Sequence, residues 1–444
     1  MPGVPDNVFA VATGPDGSVY VGGDFTTAGE TPALGVARWT GETWEALGSG
    51  LAYENRTAIA YALTFGPDGA LYVGGQFQTA GGVPANAVAR WDGAAWAGLG
   101  DGLTGATFPS VPLVRGLAFN SDGDLFVGGA FTTAGGQPAL NAARWDGEAW
   151  HPLGSGVNQS PLAVLAGPGG DVVFAGRFTQ AGGISAPGVA RWDGKAWNAY
   201  GSGLTLPFLT GGAFAAAFDG EGRLYVGGAI TGAGGQSVAN VARWDGNAWS
   251  AVGAGLSGGS VLALRYEPTR NLIYAGGRFT NSGGAALPRV AAWDGSSWQA
   301  LGAGVAGGSS PVVYGFSMPA PDGSLFASGA FEVAGGEAAR GVARWVAAGV
   351  SQEPGVDGAG LALEAFPNPA AERVSLAFTL AAASPVRLEV FDALGRSVAV
   401  LLDEVRPAGM HAAALEAGAL APGVYVARLT TSAERAARRV TVVR

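Results

Sequence analysis

A unit of about fifty residues recurs along most of this chain, and that period constrains the fold more than any other feature. Its second copy reads Gly66-Pro67-Asp68-Gly69-Ala70-Leu71-Tyr72-Val73-Gly74-Gly75-Gln76-Phe77. It continues through Ala80-Gly81-Gly82 to Val88-Ala89-Arg90-Trp91-Asp92-Gly93, Trp96 and Leu99-Gly100. The residue opening the glycine pair, or its equivalent, falls at Gly22, Gly74, Gly128, Ala175, Gly227, Gly276 and Ser328, spaced by 52, 54, 47, 52, 49 and 52 residues. All 13 Trp obey the scheme, as six pairs five residues apart (39/44, 91/96, 145/150, 192/197, 244/249, 293/298) and a single Trp345. Trp is therefore expected to build the repeat rather than an aromatic groove.

Four strands are predicted in each unit. In the second copy, 59–65 is a mostly apolar run and Pro67-Asp68-Gly69 is a hairpin turn in which Gly accepts positive φ. Residues 71–74 are apolar and aromatic up to the glycine, a longer loop leads to 88–91, and Asp92-Gly93 turns the chain into 96–99. Short antiparallel strands at this period fit radially packed blades, and a linear β-solenoid, whose coils are shorter, fits less well. The expectation is all-β: a seven-bladed β-propeller over residues 1–346. Unit one starts on its innermost strand and unit seven has no counterpart of 96–99 after Trp345, so the natural chain is expected to extend upstream with the missing strand and a signal peptide.

Composition removes chemistry from this scaffold. The 444 residues include 77 Gly, no Cys and only two His, His151 and His411. Thiolate zinc sites, Cys nucleophiles and a His-containing triad with a spare ligand are excluded, and no metal or cofactor is expected. Residues 1–360 carry net −10 and residues 361–444 net +1. An acidic main body matches a phosphate backbone poorly, so nucleic acid is not an expected partner. No apolar run is long enough to span a membrane as a helix. The chain is expected to be a monomer.

The Leu-Tyr-Val-Gly-Gly segment with its later Trp resembles kelch repeats, and Gly-Gly-x-Phe-Thr-x-Ala-Gly-Gly with Val-Ala-Arg-Trp-Asp-Gly looks like a bacterial relative of them. The resemblance implies the propeller and little about activity. It does not extend to a copper site of the galactose oxidase kind, which needs a Cys-linked Tyr and His ligands.

The pattern stops at 347–360, which reads as a linker. Beyond it, apolar alternation marks strands at 361–366, 374–380, 386–392, 398–402, 411–415, 424–430 and 439–443, enough for a small Ig-like β-sandwich at 361–444. This segment resembles the C-terminal sorting domain of bacterial type IX secretion substrates. The matching residues are Phe366-Pro367-Asn368-Pro369, Phe391-Asp392-Ala393-Leu394-Gly395-Arg396, Ala408-Gly409-Met410-His411, and Leu420-Ala421-Pro422-Gly423-Val424-Tyr425 with Arg428-Leu429. It departs from the family at Ala370-Ala371-Glu372. The resemblance implies export across an outer membrane, with the type IX machinery as partner and the cargo secreted or attached to the surface.

The repeat arginines Arg38, Arg90, Arg144, Arg191, Arg243 and Arg344 are expected to pack on Trp or pair with a nearby Asp. Asp92-Gly93 and its copies read as turns, because they lack the clustered oxygen ligands of a calcium loop. Variation between units is more informative. Strand alternation places the connections between units and the loops after the glycine pair on one face, where Tyr53, Glu54, Arg56, Phe108, Arg115, Phe208 and Leu209 combine aromatic and Arg side chains in the manner of contact hot spots. They form the expected ligand-binding face of a non-catalytic binding or adhesion module for a glycan or protein. The alternative is a secreted glycoside hydrolase or lyase using carboxylates such as Glu54, Asp101 or Glu332, held roughly 5 to 10 Å apart.

Overall fold

The computed structural model describes residues 3–106, 111–207, 211–268, 270–317, 324–345, 363–366, 373–380, 382–391, 396–421, 423–431 and 435–442. Two compact units divide the chain, residues 1–347 and 348–444. The described regular structure is β-strand apart from one short 3-10 turn, Ala417–Ala419.

Among the described residues the first unit has seven main antiparallel sheets, six of four strands and one of three, and smaller two- and three-stranded sheets formed by the intervening loops and connections. The second sheet shows the construction. Ile59–Phe65 is innermost, Leu71–Gln76 pairs with it, Val88–Trp91 follows, and Trp96–Gly98 is outermost. Each innermost strand packs against that of the next sheet, and the seventh packs against the first, so the arrangement is a closed, propeller-like ring. Closure is reinforced where the Val4 N–H donates to the Arg340 carbonyl (2.9 Å) and where Val4, Val8 and Val11 share a core cluster with Phe326 and Val342. The seventh sheet ends at Val342–Trp345, and the residues that would bear on a fourth strand there lie outside the described ones.

The Trp pairs face each other across the two outer strands, with ring centroids 5.2 Å apart for Trp91 and Trp96. The second Trp of a pair also ties neighbouring sheets together. Trp96 Nε1–H donates to the Leu47 carbonyl of the preceding sheet (2.7 Å), as Trp150 does to Leu99 (2.7 Å), Trp197 to Leu153 (2.8 Å), Trp249 to Tyr200 (2.9 Å) and Trp298 to Val252 (3.1 Å). These indoles bury a large apolar body and satisfy their single polar atom, so they serve packing and register together.

The glycine pair has two separate jobs. A Cβ on Gly74 would stand 2.5 Å from Val114 Cγ1, so the first glycine lets the next innermost strand approach. A Cβ on Gly75 would collide with the Ile59 carbonyl oxygen, so the second accommodates an irregularity in its own innermost strand. Register shows that irregularity: Ala60 pairs with Gly75 and Ala62 with Gly74, leaving Tyr61 as the extra residue of a β-bulge.

In the second unit, a three-stranded sheet (Leu363–Phe366, Val374–Leu380, Gly409–Leu415) and a four-stranded sheet (Ser397–Arg406, Ser384–Phe391, Gly423–Thr430, Arg435–Val442) share one core. Val374, Leu376 and Phe378 from the first sheet and Val386, Leu388, Val390, Ala427 and Leu429 from the second lie in it. The alternation of buried Val386, Leu388 and Val390 with exposed Arg387 follows from the two-residue period of a half-buried strand.

Candidate functional site

The bulge of the second sheet recurs in the other six, always one residue wide and always at the same place. The extra residues are Phe9, Tyr61, Arg115, Leu162, Phe214, Leu262 and Tyr314. A β-bulge re-aims the side chain it carries, and all seven line a single cavity of about 910 Å³ at one mouth of the ring. The position after the glycine pair adds Ala130, Arg177 and Arg278 to the wall, and the inter-sheet connections add Asn158, Gln159, Ser160 and Ser260.

Three arginines therefore converge from the third, fourth and sixth sheets. The Arg115 guanidinium lies 4.3 Å from the Tyr61 ring centroid and that of Arg177 5.9 Å from the Phe214 centroid. Arg278 Nη1 donates to Ser310 Oγ at 3.0 Å. All three are exposed to the solvent of the cavity. The channel wall nevertheless surrounds Arg115, and this desolvation lowers its pKa from the usual arginine value. Proximity of Arg177 acts in the same direction, while Tyr61 opposes both. Beside the arginines an aromatic arc runs from Tyr314 to Phe9 (centroids 5.0 Å) and on to Tyr61 (5.2 Å). No Asp or Glu is among the described residues lining the cavity. Asp24, which occupies the position equivalent to Arg177 and Arg278, accepts hydrogen bonds from Asn7 N and Nδ2, both at 3.0 Å.

The two kinds of loop assigned to this face do lie together: Leu51–Ala52, which connects sheets one and two, pairs with Thr79–Ala80 from the loop after the glycine pair. Of the residues singled out from sequence, Arg115 is in the cavity wall. Tyr53, Glu54 and Arg56 sit on the connection outside it. Arg56 is 5.9 Å from the Tyr53 ring centroid, and the Glu54 N–H donates to Gln78 Oε1 at 2.9 Å. Phe108, Phe208 and Leu209 lie outside the described residues. Asp101 and Glu332 are exposed and do not line the cavity, and Glu332 accepts a 3.2 Å bond from the Gly308 N–H. The sequence reading missed Phe9, Tyr61, Arg177, Phe214, Arg278 and Tyr314. The usable signal was that identity varies freely at two positions of an otherwise repeated strand pair.

The repeat arginines behave as expected where their partners are described. Arg38 pairs with Asp16 (2.5 Å), Arg90 with Asp68 (2.8 Å), Arg144 with Asp124 (2.6 Å) and Arg191 with Asp171 (3.1 Å). The carboxylates of the Asp-Gly turns are likewise spent locally: Asp92 Oδ1 accepts the N–H groups of Ala94 (2.9 Å) and Ala95 (2.8 Å). Among the described residues no group of three or more His, Asp or Glu side chains is placed to hold a metal ion.

In the second unit, Tyr425 is buried and its hydroxyl donates to the Ala421 carbonyl at 2.8 Å. Arg428 stacks 4.2 Å from the Phe391 centroid and approaches Glu389 at 3.7 Å. Gly423 opens the strand that carries both, and Arg396 precedes the edge strand Ser397–Arg406. Pro367, Asn368, Pro369, Asp392 and Gly395 lie outside the described residues.

Comparison with known proteins agrees with this division. A family described as a secretion system C-terminal sorting domain matches residues 364–443. A β-propeller domain of unknown function matches residues 14–39 and 66–91. The chain thus joins propeller-type repeats to a C-terminal sorting domain. No curated protein matches it. Among solved structures it is similar in fold to PorZ, described as an essential bacterial surface component of the type IX secretion system of Porphyromonas gingivalis. The identity is 14% and the TM-score 0.51, over 99% of this chain and 60% of PorZ, so the chain spans about 60% of that protein's length. Two further structures align with TM-scores too low to carry an argument. One is a Bacteroides thetaiotaomicron protein of unknown function (9% identity, TM-score 0.35, 77% of this chain and 70% of that one). The other is a Hadza microbial sialidase (14%, 0.36, 73% and 63%). No helix among the described residues is long and apolar enough to cross a membrane.

Proposed function

We propose that the chain is a secreted or cell-surface binding protein. Its Ig-like C-terminal sandwich directs export through a type IX secretion system, and its seven-bladed propeller receives a ligand at the arginine and aromatic mouth of the channel. The observation that carries the binding reading is the sevenfold bulge, which aims one residue of every sheet into one cavity while the identity of that residue changes from sheet to sheet. A purely structural role would favour one repeated residue there, as it does at the Trp positions. The cavity lies within the usual 300–1,000 Å³ span of ligand sites. The carboxylates proposed for the hydrolase alternative, Glu54, Asp101 and Glu332, lie outside its lining, which favours binding over carboxylate chemistry. The bond from the Tyr425 hydroxyl back to the backbone at Ala421 resembles the tyrosine corner of Ig-type sandwiches and supports that assignment.

Two measurements test the halves separately. Expressed behind a signal peptide in a bacterium with a working type IX system, the full chain is expected in the medium or on the surface, and a chain lacking residues 364–443 inside the cell; equal export of both overturns the sorting assignment. On glycan and protein arrays, signals of the full chain are expected to vanish in Phe9→Ala/Tyr61→Ala with the fold retained by circular dichroism. Loss in Tyr53→Ala or Arg56→Ala instead would move the site to the connections.

A further inference from the structure

We propose that the ligand of this cavity is an acidic oligosaccharide, its anionic groups held by Arg115, Arg177 and Arg278 and its sugar rings laid against Phe9, Tyr61 and Tyr314. The inference rests on the channel-mouth reading above and adds the ligand's chemistry. Its starting point is an imbalance. Residues 1–360 are acidic, yet three guanidinium groups meet in one hole whose described lining holds no carboxylate. Gathering like charges is unfavourable without a counter-charge, and Arg177 already weighs on Arg115. The neighbours of these arginines are rings and a hydroxyl: Tyr61, Phe214 and Ser310. Their donors thus remain available to a planar carboxylate or a sulfate, which arginine binds by paired, charge-assisted hydrogen bonds. A concave site lined by one sign of charge also concentrates anions despite the net charge of the whole protein.

The remaining wall suits a saccharide better than a protein. A folded partner needs roughly 800 Å² of surface on each side, whereas this site is a hole at a channel mouth. An extended acidic peptide would most readily add as a strand to an exposed edge, but the bulge interrupts the ladder of every innermost strand at the cavity. The aromatic arc offers faces to the C–H faces of sugar rings, and Asn158, Gln159, Ser160 and Ser260 offer amides and hydroxyls to ring hydroxyl groups. Because the arginines come from three different sheets, they suit charges repeated along a short chain rather than one isolated anion.

Calorimetric titration of the full chain tests this with four probes: trigalacturonate, its trimethyl ester, a κ-carrageenan tetrasaccharide and hexaglutamate. At least one acidic saccharide is expected to bind, with affinity falling as salt rises, and which one binds tells carboxylate from sulfate. The ester is expected to fail. Arg115→Gln, Arg177→Gln and Arg278→Gln are each expected to weaken binding roughly tenfold, and the triple variant to abolish it with circular dichroism unchanged. Ester or hexaglutamate binding as tight as that of the acids overturns the proposal, as does a triple variant that binds like the parent or the absence of binding by either acid. If array ligands are lost in Phe9→Ala/Tyr61→Ala but not in the arginine triple, the acidic ligand fails while the cavity stands. If acid binding ignores every cavity variant, both readings fail.

Discussion

Two sets of arginines occupy this ring and have opposite surroundings. The repeat arginines Arg38, Arg90, Arg144 and Arg191 each meet an Asp within 3.1 Å, although that Asp comes from different turn positions, Asp16 and Asp68 in the first two sheets and Asp124 and Asp171 in the next two. In the fifth sheet Asp219 is taken by Arg223 at 2.6 Å, and Arg243 Nε is left buried without a hydrogen-bond partner. In the sixth, the turn has no such Asp and the arginine position is Ala292. Arginine and carboxylate are thus paired in the first four sheets and both missing in the sixth, as expected of a pair kept for register, and the fifth sheet hands its Asp to another arginine. The cavity arginines show no such coupling: Arg115, Arg177 and Arg278 stand at positions that elsewhere hold Phe, Tyr, Leu, Ala, Gln or Asp. A charge with a partner built into the repeat belongs to the scaffold, and a charge without one at a variable position is the ground for the ligand proposed above.

The backbone that presents the cavity is where the comparison can be broken most severely. Gly75→Ala puts a methyl group into the Ile59 carbonyl, and the strand can relieve it only by giving up the bulge. Thermal or urea unfolding is expected to show a loss of about 3 kcal/mol, accompanied by loss of ligand binding because Tyr61 is re-aimed. Gly93→Ala, where an added Cβ meets nothing within 4 Å but φ is +101°, is expected to cost only about 1 kcal/mol and to leave binding intact. Next in size after Gly75→Ala is Trp96→Phe, which removes the indole donor from the Leu47 carbonyl, leaving it the Gly50 N–H alone, and shrinks the inter-sheet contact. About 2 kcal/mol is expected from the same measurement, again without effect on the cavity.

These cases also show what could be read from the sequence. The Trp spacing and the paired glycines carried the sheet repeat, because each answers a contact that recurs in most sheets: an indole on the preceding sheet, a Cβ-free approach at Gly74, a carbonyl over Gly75. The apolar alternation of 386–390 similarly disclosed the half-buried strand of the second unit. Of the cavity only Arg115 was found, since attention to variable segments leads to the connections, where Tyr53 and Arg56 lie. A bulge has no residue type of its own. Within one unit its outward-aimed position is indistinguishable by pattern from its neighbours, buried Ala60 and half-buried Ala62, until register is known, so the aromatic arc and Arg177 and Arg278 stayed hidden.

The smallest effects separate the two arginine sets most cleanly. Burial alone would raise the Asp68 carboxyl, but the Arg90 guanidinium, the Ala70 N–H and the Tyr72 hydroxyl outweigh it and hold it below the ordinary carboxylate value. A carboxyl depressed in the folded state adds stability above its unfolded pKa of about 4 and loses it as pH falls through the folded value. Melting temperature is therefore expected to be flat above about pH 4 and to fall below it, less steeply in Asp68→Asn. At neutral pH, Arg90→Gln is expected to cost no more than about 1 kcal/mol, because the pair is about one-third exposed and screened by solvent. Arg115→Gln removes a crowded cation that has no described carboxylate partner and lies near Arg177. Stability is expected to be unchanged or raised by a few tenths of a kcal/mol, the trade of a residue kept for binding rather than folding. Side-by-side thermal melts of the two variants decide it: an Arg115→Gln loss as large as that of Arg90→Gln would place Arg115 in the scaffold and remove the contrast between the sets.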